Sequence, residues 1–159
     1  MEIIVGTNNQ GKLKEMQSGL KDPAIQLVSY RKYTTSQEQP AETGTTYAEN
    51  AYLKARFFQQ LIGRPVLGDD GGLTLTAFPD LLGIHTSRFF HSANSEEQNR
   101  ELLHLFEGQQ STRELTLSAT LVYVLDDDKL LQTEATLTGE LVEPRGTGGY
   151  GFDPIIYLP

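Results

Sequence analysis

Two long alternating segments decide which folds are open to this chain. Leu115, Leu117, Ala119, Leu121, Tyr123 and Leu125 alternate with Thr, Ser and Val. After Asp126-Asp127-Asp128 the alternation resumes through Leu131, Thr133, Ala135, Leu137, Gly139 and Leu141. Period-two runs of this length around a polar turn predict a long hairpin. The first half of the chain reads differently. Residues 3–5 predict a buried strand, residues 10–21 a helix carrying Leu13, Met16 and Leu20, and residues 25–28 a second strand. Residues 29–45 are polar and read as a loop. Thr46-Tyr47-Ala48-Glu49 has capping-box spacing and opens a helix whose buried face is Ala48, Ala51, Tyr52, Ala55, Phe58 and Ile62. Residues 65–68 predict a strand leading into Asp69-Asp70, residues 73–77 are extended, and residues 78–92 are loop. Ser95-Glu96-Glu97-Gln98 is a second capping box, for a helix with Leu102, Leu103, Leu105 and Phe106. Residues 155–158 predict a last strand. Mixing βα units with a long antiparallel pair predicts an α/β mixed sheet rather than a doubly wound parallel one.

At 159 residues the chain is long enough for one domain with a sizeable core. No apolar run approaches the roughly 20 residues of a membrane helix, and no basic segment precedes an apolar stretch as in a signal peptide. The absence of cysteine excludes disulfides, thiolate metal sites and Cys nucleophiles, and it suits the cytoplasm. A net charge of −8 repels nucleic-acid backbones, so neither nucleic acid nor membrane is expected as a partner. A small phosphate ligand is compatible with that charge if Mg²⁺ and a few local cations offset it.

Four segments carry candidate chemistry. Thr7-Asn8-Asn9-Gln10-Gly11-Lys12 follows the first strand and opens a helix. Its backbone N–H groups and the Lys12 charge can hold phosphate, although the Walker spacing is absent. Asp69-Asp70-Gly71-Gly72 sits at a strand end, where paired carboxylates can hold a hard cation. Adjacent strand residues face opposite ways, so a bend at the glycines is needed for both acids to serve one site. An ordinary Asp-Gly turn is the competing reading. Glu42 offers a further carboxylate, and Lys54 shares a helix face with Asn50. Solvated side chains are the plain alternative for Glu42 and Lys54, and a capping role is favoured for Glu49. In the fourth segment, Gly148 to Pro154, the glycines permit close approach to a ligand. Tyr150 and Phe152 there can stack on a base, or simply pack in the core of a turn feeding an edge strand. The three histidines show no metal-binding spacing, and no Gly-x-Ser-x-Gly elbow occurs.

Taken in order, these segments resemble a known family. Thr7 to Lys12, Glu42 to Ala51 with Lys54-Ala55, Gly68 to Leu73, Gly83 to Phe89 and Gly146 to Pro154 resemble the pyrophosphatases of non-standard purine nucleoside triphosphates, the inosine/xanthosine triphosphate pyrophosphatase family. The resemblance covers nearly the whole chain. It implies a long mixed sheet with two lobes flanking a central cleft, and Mg²⁺-dependent hydrolysis of a nucleoside triphosphate to the monophosphate and pyrophosphate. Residue by residue, it implies that Thr7, Asn8, Asn9, Gln10, Gly11 and Lys12 hold phosphates with Lys54 assisting. Asp70 becomes the catalytic base and a metal ligand, with Asp69 beside it and Glu42 as a second metal ligand. Gly71 lies at a substrate-contacting position, Tyr150, Gly151, Phe152 and Asp153 form part of the base pocket, and Arg88 supports the cleft. A homodimer is implied as well.

The chain also departs from that pattern. Gly71 stands where the family usually has Ser, Thr76 where a further Asp is usual, and Ala41 beside Glu42 where a second Glu is usual. The Ser-His-Arg motif that the family carries in a helical tail does not occur before Pro159, so the expectation is a single domain over residues 1–159 lacking that tail. Two functional classes follow: an active pyrophosphatase for inosine and xanthosine nucleotides, or a catalytically weak nucleotide-binding or interaction protein of the same fold.

Overall fold

The apolar residues after Met1 form β1 (Glu2–Val5), which has a parallel partner on each side. In the computed structural model, which describes residues 1–159, Ile3 lies opposite Leu27 of β2 (Gln26–Ser29). On the other side Val5 lies opposite Leu67 of β3 (Val66–Leu75). Parallel neighbours need crossover connections, and helices α1 (Gln10–Gly19) and α2 (Tyr47–Ile62) lie within them. The sheet continues with β4 (Glu114–Val124), β5 (Leu130–Leu141) and the short β6 (Ile156–Tyr157), in the order β2-β1-β3-β4-β5-β6. β6 runs antiparallel to β5. The expected α/β mixed sheet and the long hairpin are both present. No helix is long and apolar enough to cross a membrane.

The chain forms two compact units. One comprises Met1–Asp70 and Ala119–Glu134, the other Gly71–Ser118 and Ala135–Pro159. In the first, Leu13 of α1 packs with Val5 and Leu27, while Phe58 of α2 packs with Ile4, Val28, Tyr30 and Val66. The Tyr30 and Phe58 ring centroids are 4.0 Å apart. Ala51 and Ala55 meet Val122 and Val124. This small-residue face brings α2 so near β3 that a Cβ at Gly68 would run into the Ala51 carbonyl oxygen and the Ala55 backbone nitrogen. Tyr52, expected on the buried face, is exposed, and Asn50 is buried instead. The reason is local: Asn50 Oδ1 accepts the Gly44 N–H at 2.8 Å.

The second unit is built around Leu73, Leu75, Leu82, Leu102, Phe106, Leu115, Leu141 and Ile155. Residues 78–92 are not all loop. They include a 3₁₀ turn (Gly83–His85) and a short helix α3 (Thr86–Phe89). Buried Thr86 holds this segment, its Oγ1 accepting from Leu73 N at 3.0 Å and donating to Gly83 O at 2.5 Å. α4 (Ser95–His104) starts one residue earlier than the capping-box reading places it. Asn94 is its N-cap and accepts from the N–H groups of Glu96 and Glu97.

Two strand expectations are corrected. β3 is one unbroken strand through Asp69-Asp70-Gly71-Gly72, and neither glycine takes a positive φ. The bend foreseen after the acids is absent, because Leu73 and Leu75 continue directly into a buried core. On β4 the odd positions are not uniformly inside. Leu115 is buried, but the buried set then passes to Thr120, Val122 and Val124. β3 changes parity too, from Val66 and Gly68 to Leu73 and Leu75. Both changes fall where a strand leaves one unit for the other. β5 is exposed from Leu130 to Thr138, so Leu131 and Leu137 are surface residues, and only Gly139 and Leu141 are buried.

Candidate active site

The first loop is held largely by its own side chains. Buried Thr7 accepts the Asn9 N–H on Oγ1 at 3.1 Å. Asn9 is the N-cap of α1, its Oδ1 accepting from Lys12 N at 3.0 Å. Asn8 sits in a ring of polar contacts. Its Oδ1 accepts from the Tyr30 hydroxyl and from Arg31 Nη2, its Nδ2 donates to Gln39, and Gln39 Nε2 reaches the Tyr30 hydroxyl at 3.3 Å. Gln10 and Gly11 begin the helix. Tyr30, Arg31 and Gln39 were not among the residues expected at the site. Their sequence shows only a polar stretch, and the contacts that matter span from 9 to 31 residues.

Lys12 turns its ammonium toward the acids. Lys12 Nζ lies 2.8 Å from Asp69 Oδ2, with the Asp69 side chain only 5% exposed. Lys54, four residues after buried Asn50 on α2, donates to the Asp69 main-chain oxygen at 2.8 Å and lies 3.1 Å from Glu42 Oε1. The loop bearing Glu42 is tied to the start of α2. Glu49 accepts from the Thr45 N–H at 2.5 Å and the Thr45 hydroxyl at 3.1 Å, while Thr46 Oγ1 caps the Glu49 N–H at 3.1 Å. These bonds from Thr45 hold the Glu49 carboxyl below its ordinary pKa. Glu49 is therefore a capping residue, as its spacing predicts. Thus Lys12, Glu42, Lys54 and Asp69 come together in the first unit from three separate stretches of sequence. Asp70 adjoins them in the chain, and its Oδ2 is buried.

Asp69 Oδ1 is buried and accepts no hydrogen bond. A buried carboxylate oxygen lacking a donor is costly unless a cation or water meets it. The side chains do not form a preassembled cluster of three or more metal ligands. Mg²⁺ does not require one, since it retains several waters and uses one or two carboxylates together with substrate phosphates. Carboxylates such as those of Glu42 and Asp70 are oxygen ligands of the kind such an ion takes.

The remaining expected residues belong to the second unit, which begins at Gly71. There the Gly148–Asp153 loop is closed on itself. Asp153 Oδ2 accepts the Tyr150 N–H at 2.7 Å, and Asp153 N donates to Tyr150 O at 3.1 Å. Gly149 has φ 83°, and a Cβ there would collide with the Asp153 carboxyl group. Phe152 packs against Phe90 with ring centroids 5.6 Å apart, whereas Tyr150 is exposed. Arg88 is an exposed residue of α3. A surface hollow of about 500 Å³ in this unit is lined by Arg100, Glu101, His104 and Glu143, none of them from the motifs.

The chain is thus a two-unit α/β protein in which lysines from a strand–loop–helix and from a second helix meet Asp69 and Glu42. Residues 3–159 match the Ham1 family, and the chain belongs to it. It is 37% identical to the dITP/XTP pyrophosphatase of Paracidovorax citrulli, over 100% of this chain and 82% of that one. With the dITP/XTP pyrophosphatase of Thermus thermophilus it shares 34% identity, over 100% and 77% of the two chains. A HAM1 protein from Coxiella burnetii superposes with a TM-score of 0.83 at 33% identity, covering 100% of this chain and 82% of that one. The Ham1 protein of Staphylococcus aureus gives 0.80 at 26% identity, with the same coverage. The family resemblance and the fold read from the sequence motifs are both borne out.

Proposed function

We propose that this chain hydrolyses non-standard purine nucleoside triphosphates, those of inosine, deoxyinosine and xanthosine, to the monophosphate and pyrophosphate. The Lys12–Asp69 contact at 2.8 Å carries the reading, because it puts the first loop's cation on the acidic pair. The names of the relatives favour the same chemistry.

In this reading the first-loop residues Thr7 to Lys12 receive the phosphates, with Lys12 and Lys54 as the cations that offset the charge of the departing pyrophosphate. Binding exchanges the Asp69 and Glu42 partners of these lysines for phosphate oxygens. Asp70 takes a proton from the attacking water as its oxygen bonds to phosphorus and the α–β anhydride bond breaks. Before substrate binds, Asp69 holds Lys12 through Oδ2 and Lys54 through its main-chain oxygen. Asp70 and Glu42 would hold Mg²⁺, which when bound neutralises phosphate charge and polarises phosphorus. Gly71 adds no hydroxyl to the phosphate contacts. Tyr150, Gly151, Phe152 and Asp153 take the base. The activity is assigned to a cytoplasmic homodimer.

The test is product analysis with dITP and XTP in the presence and absence of Mg²⁺. Pyrophosphate and the monophosphate in equal amounts are expected. Orthophosphate as the sole phosphorus product would refute the reaction. Calorimetric binding without any product would assign the chain to the catalytically weak class.

A further inference from the structure

Asn99 occupies the middle of α4 and is buried, on the same helix face as Leu102 one turn later. Its Nδ2 donates to the Gly151 carbonyl oxygen at 3.2 Å, across 52 residues of sequence. Its Oδ1 is buried and accepts no hydrogen bond. An orphaned oxygen at that depth works against folding, and an aliphatic side chain like that of Leu102 would avoid the penalty. Stability alone is therefore a poor reason for Asn here. What the amide contributes is the bond to Gly151.

That bond falls at a sensitive place. Between Tyr150 and Asp153 the loop is stiffened by its own two hydrogen bonds, so it moves as a body. Gly151 lies within it at φ 59° and is the point held by Asn99. Phe152 provides an apolar anchor against Phe90. Together the two anchors fix how the loop presents Tyr150, a residue 39% exposed. A phenylalanine pair can slide, whereas a hydrogen bond of defined direction sets an angle.

We propose that Asn99 is a positioning residue that governs base recognition: through Gly151 it sets the orientation of the Tyr150–Asp153 loop against the purine. This rests on the reading above that the loop meets the base. The variants are Asn99→Leu, which also removes the orphaned oxygen, and Asn99→Asp, which keeps the shape but loses the donor. Both are to be followed by thermal melting, by hydrogen exchange at residues 149–153, and by dITP and dGTP kinetics. The expected result is a melting midpoint for Asn99→Leu at or above that of the wild type. With it come faster exchange in the loop, a KM for dITP raised about tenfold with kcat changed less than about threefold, and a reduced preference for dITP over dGTP. Loop exchange and KM unchanged in both variants would overturn the inference. If the wild-type protein turns over no triphosphate, the activity assignment fails on its own account, and the exchange measurement still decides whether Asn99 holds the loop.

Discussion

Lys12 Nζ stands 2.8 Å from Asp69 Oδ2, joining residues 57 positions apart in the chain. The Lys12 side chain is 33% exposed and that of Asp69 5%, so the pair is screened on one side only. Removing the lysine strands a buried carboxylate. Lys12→Met should cost about 1–3 kcal/mol in urea unfolding, more than an exposed pair and less than a fully buried one. The double variant Lys12→Met/Asp69→Asn should recover part of that stability and none of the turnover. A double variant as active as the wild type would show that this contact is structural only.

Asp70 is proposed as the group that accepts a proton from water. Asp70→Asn keeps size and burial but removes the base. Pyrophosphate release should fall by about 10²–10⁴, while calorimetric affinity for a triphosphate in EDTA stays within about threefold. Equal losses of binding and turnover would move Asp70 from chemistry to binding.

Glu49 provides a pH signature. Bonds from the Thr45 N–H and hydroxyl favour its ionised form and lower its pKa from 4.5. Its contribution to stability is therefore fully present above that ordinary value and lost as the pH falls through the lower folded one. Glu49→Gln should unfold at lower urea than the wild type at pH 7, and the gap should close as the pH falls below the folded value. A gap independent of pH would mean that the charge has no part in the cap.

The Tyr30 hydroxyl holds Asn8 in the first loop while its ring fills the core against Phe58. Tyr30→Phe preserves the packing and removes two hydrogen bonds, the one to Asn8 and the one from Gln39. A stability loss of about 1 kcal/mol is expected, with KM for the triphosphate raised several-fold and kcat nearly unchanged. Loss of stability with an unaltered KM would detach the network from phosphate binding.

The legible parts of the sequence were those with local causes. Thr46 and Glu49 announce the start of α2, and Leu13, Met16 and Leu20 mark α1, because caps and helical periodicity act over three or four residues. The buried sides of β3 and β4 were not legible. Alternation assumes that one face is covered along the whole strand, yet each of these strands serves two cores and changes parity between them. The same holds at the site. Composition suggests acids and lysines, but nothing local says that Lys12 meets Asp69 while Lys54 meets Glu42, since those pairings depend on how α1 and α2 lie against β3.

Gly68 tests that last dependence. It precedes the acidic pair, and α2 crosses it so closely that an added methyl group would meet backbone atoms of Ala51 and Ala55 rather than a movable side chain. Backbone cannot yield by a rotamer change, so Gly68→Ala must push α2 away from β3. Lys54 is carried on α2 and bonds the Asp69 main-chain oxygen at 2.8 Å, so the same displacement should stretch that contact. We expect a loss of about 2–3 kcal/mol, a melting point lower by roughly 4–12 °C, and reduced turnover even at temperatures where the variant is fully folded. A variant with wild-type stability would mean that α2 and β3 are less tightly apposed than this geometry requires. Lowered stability with full activity would separate the position of Lys54 from catalysis.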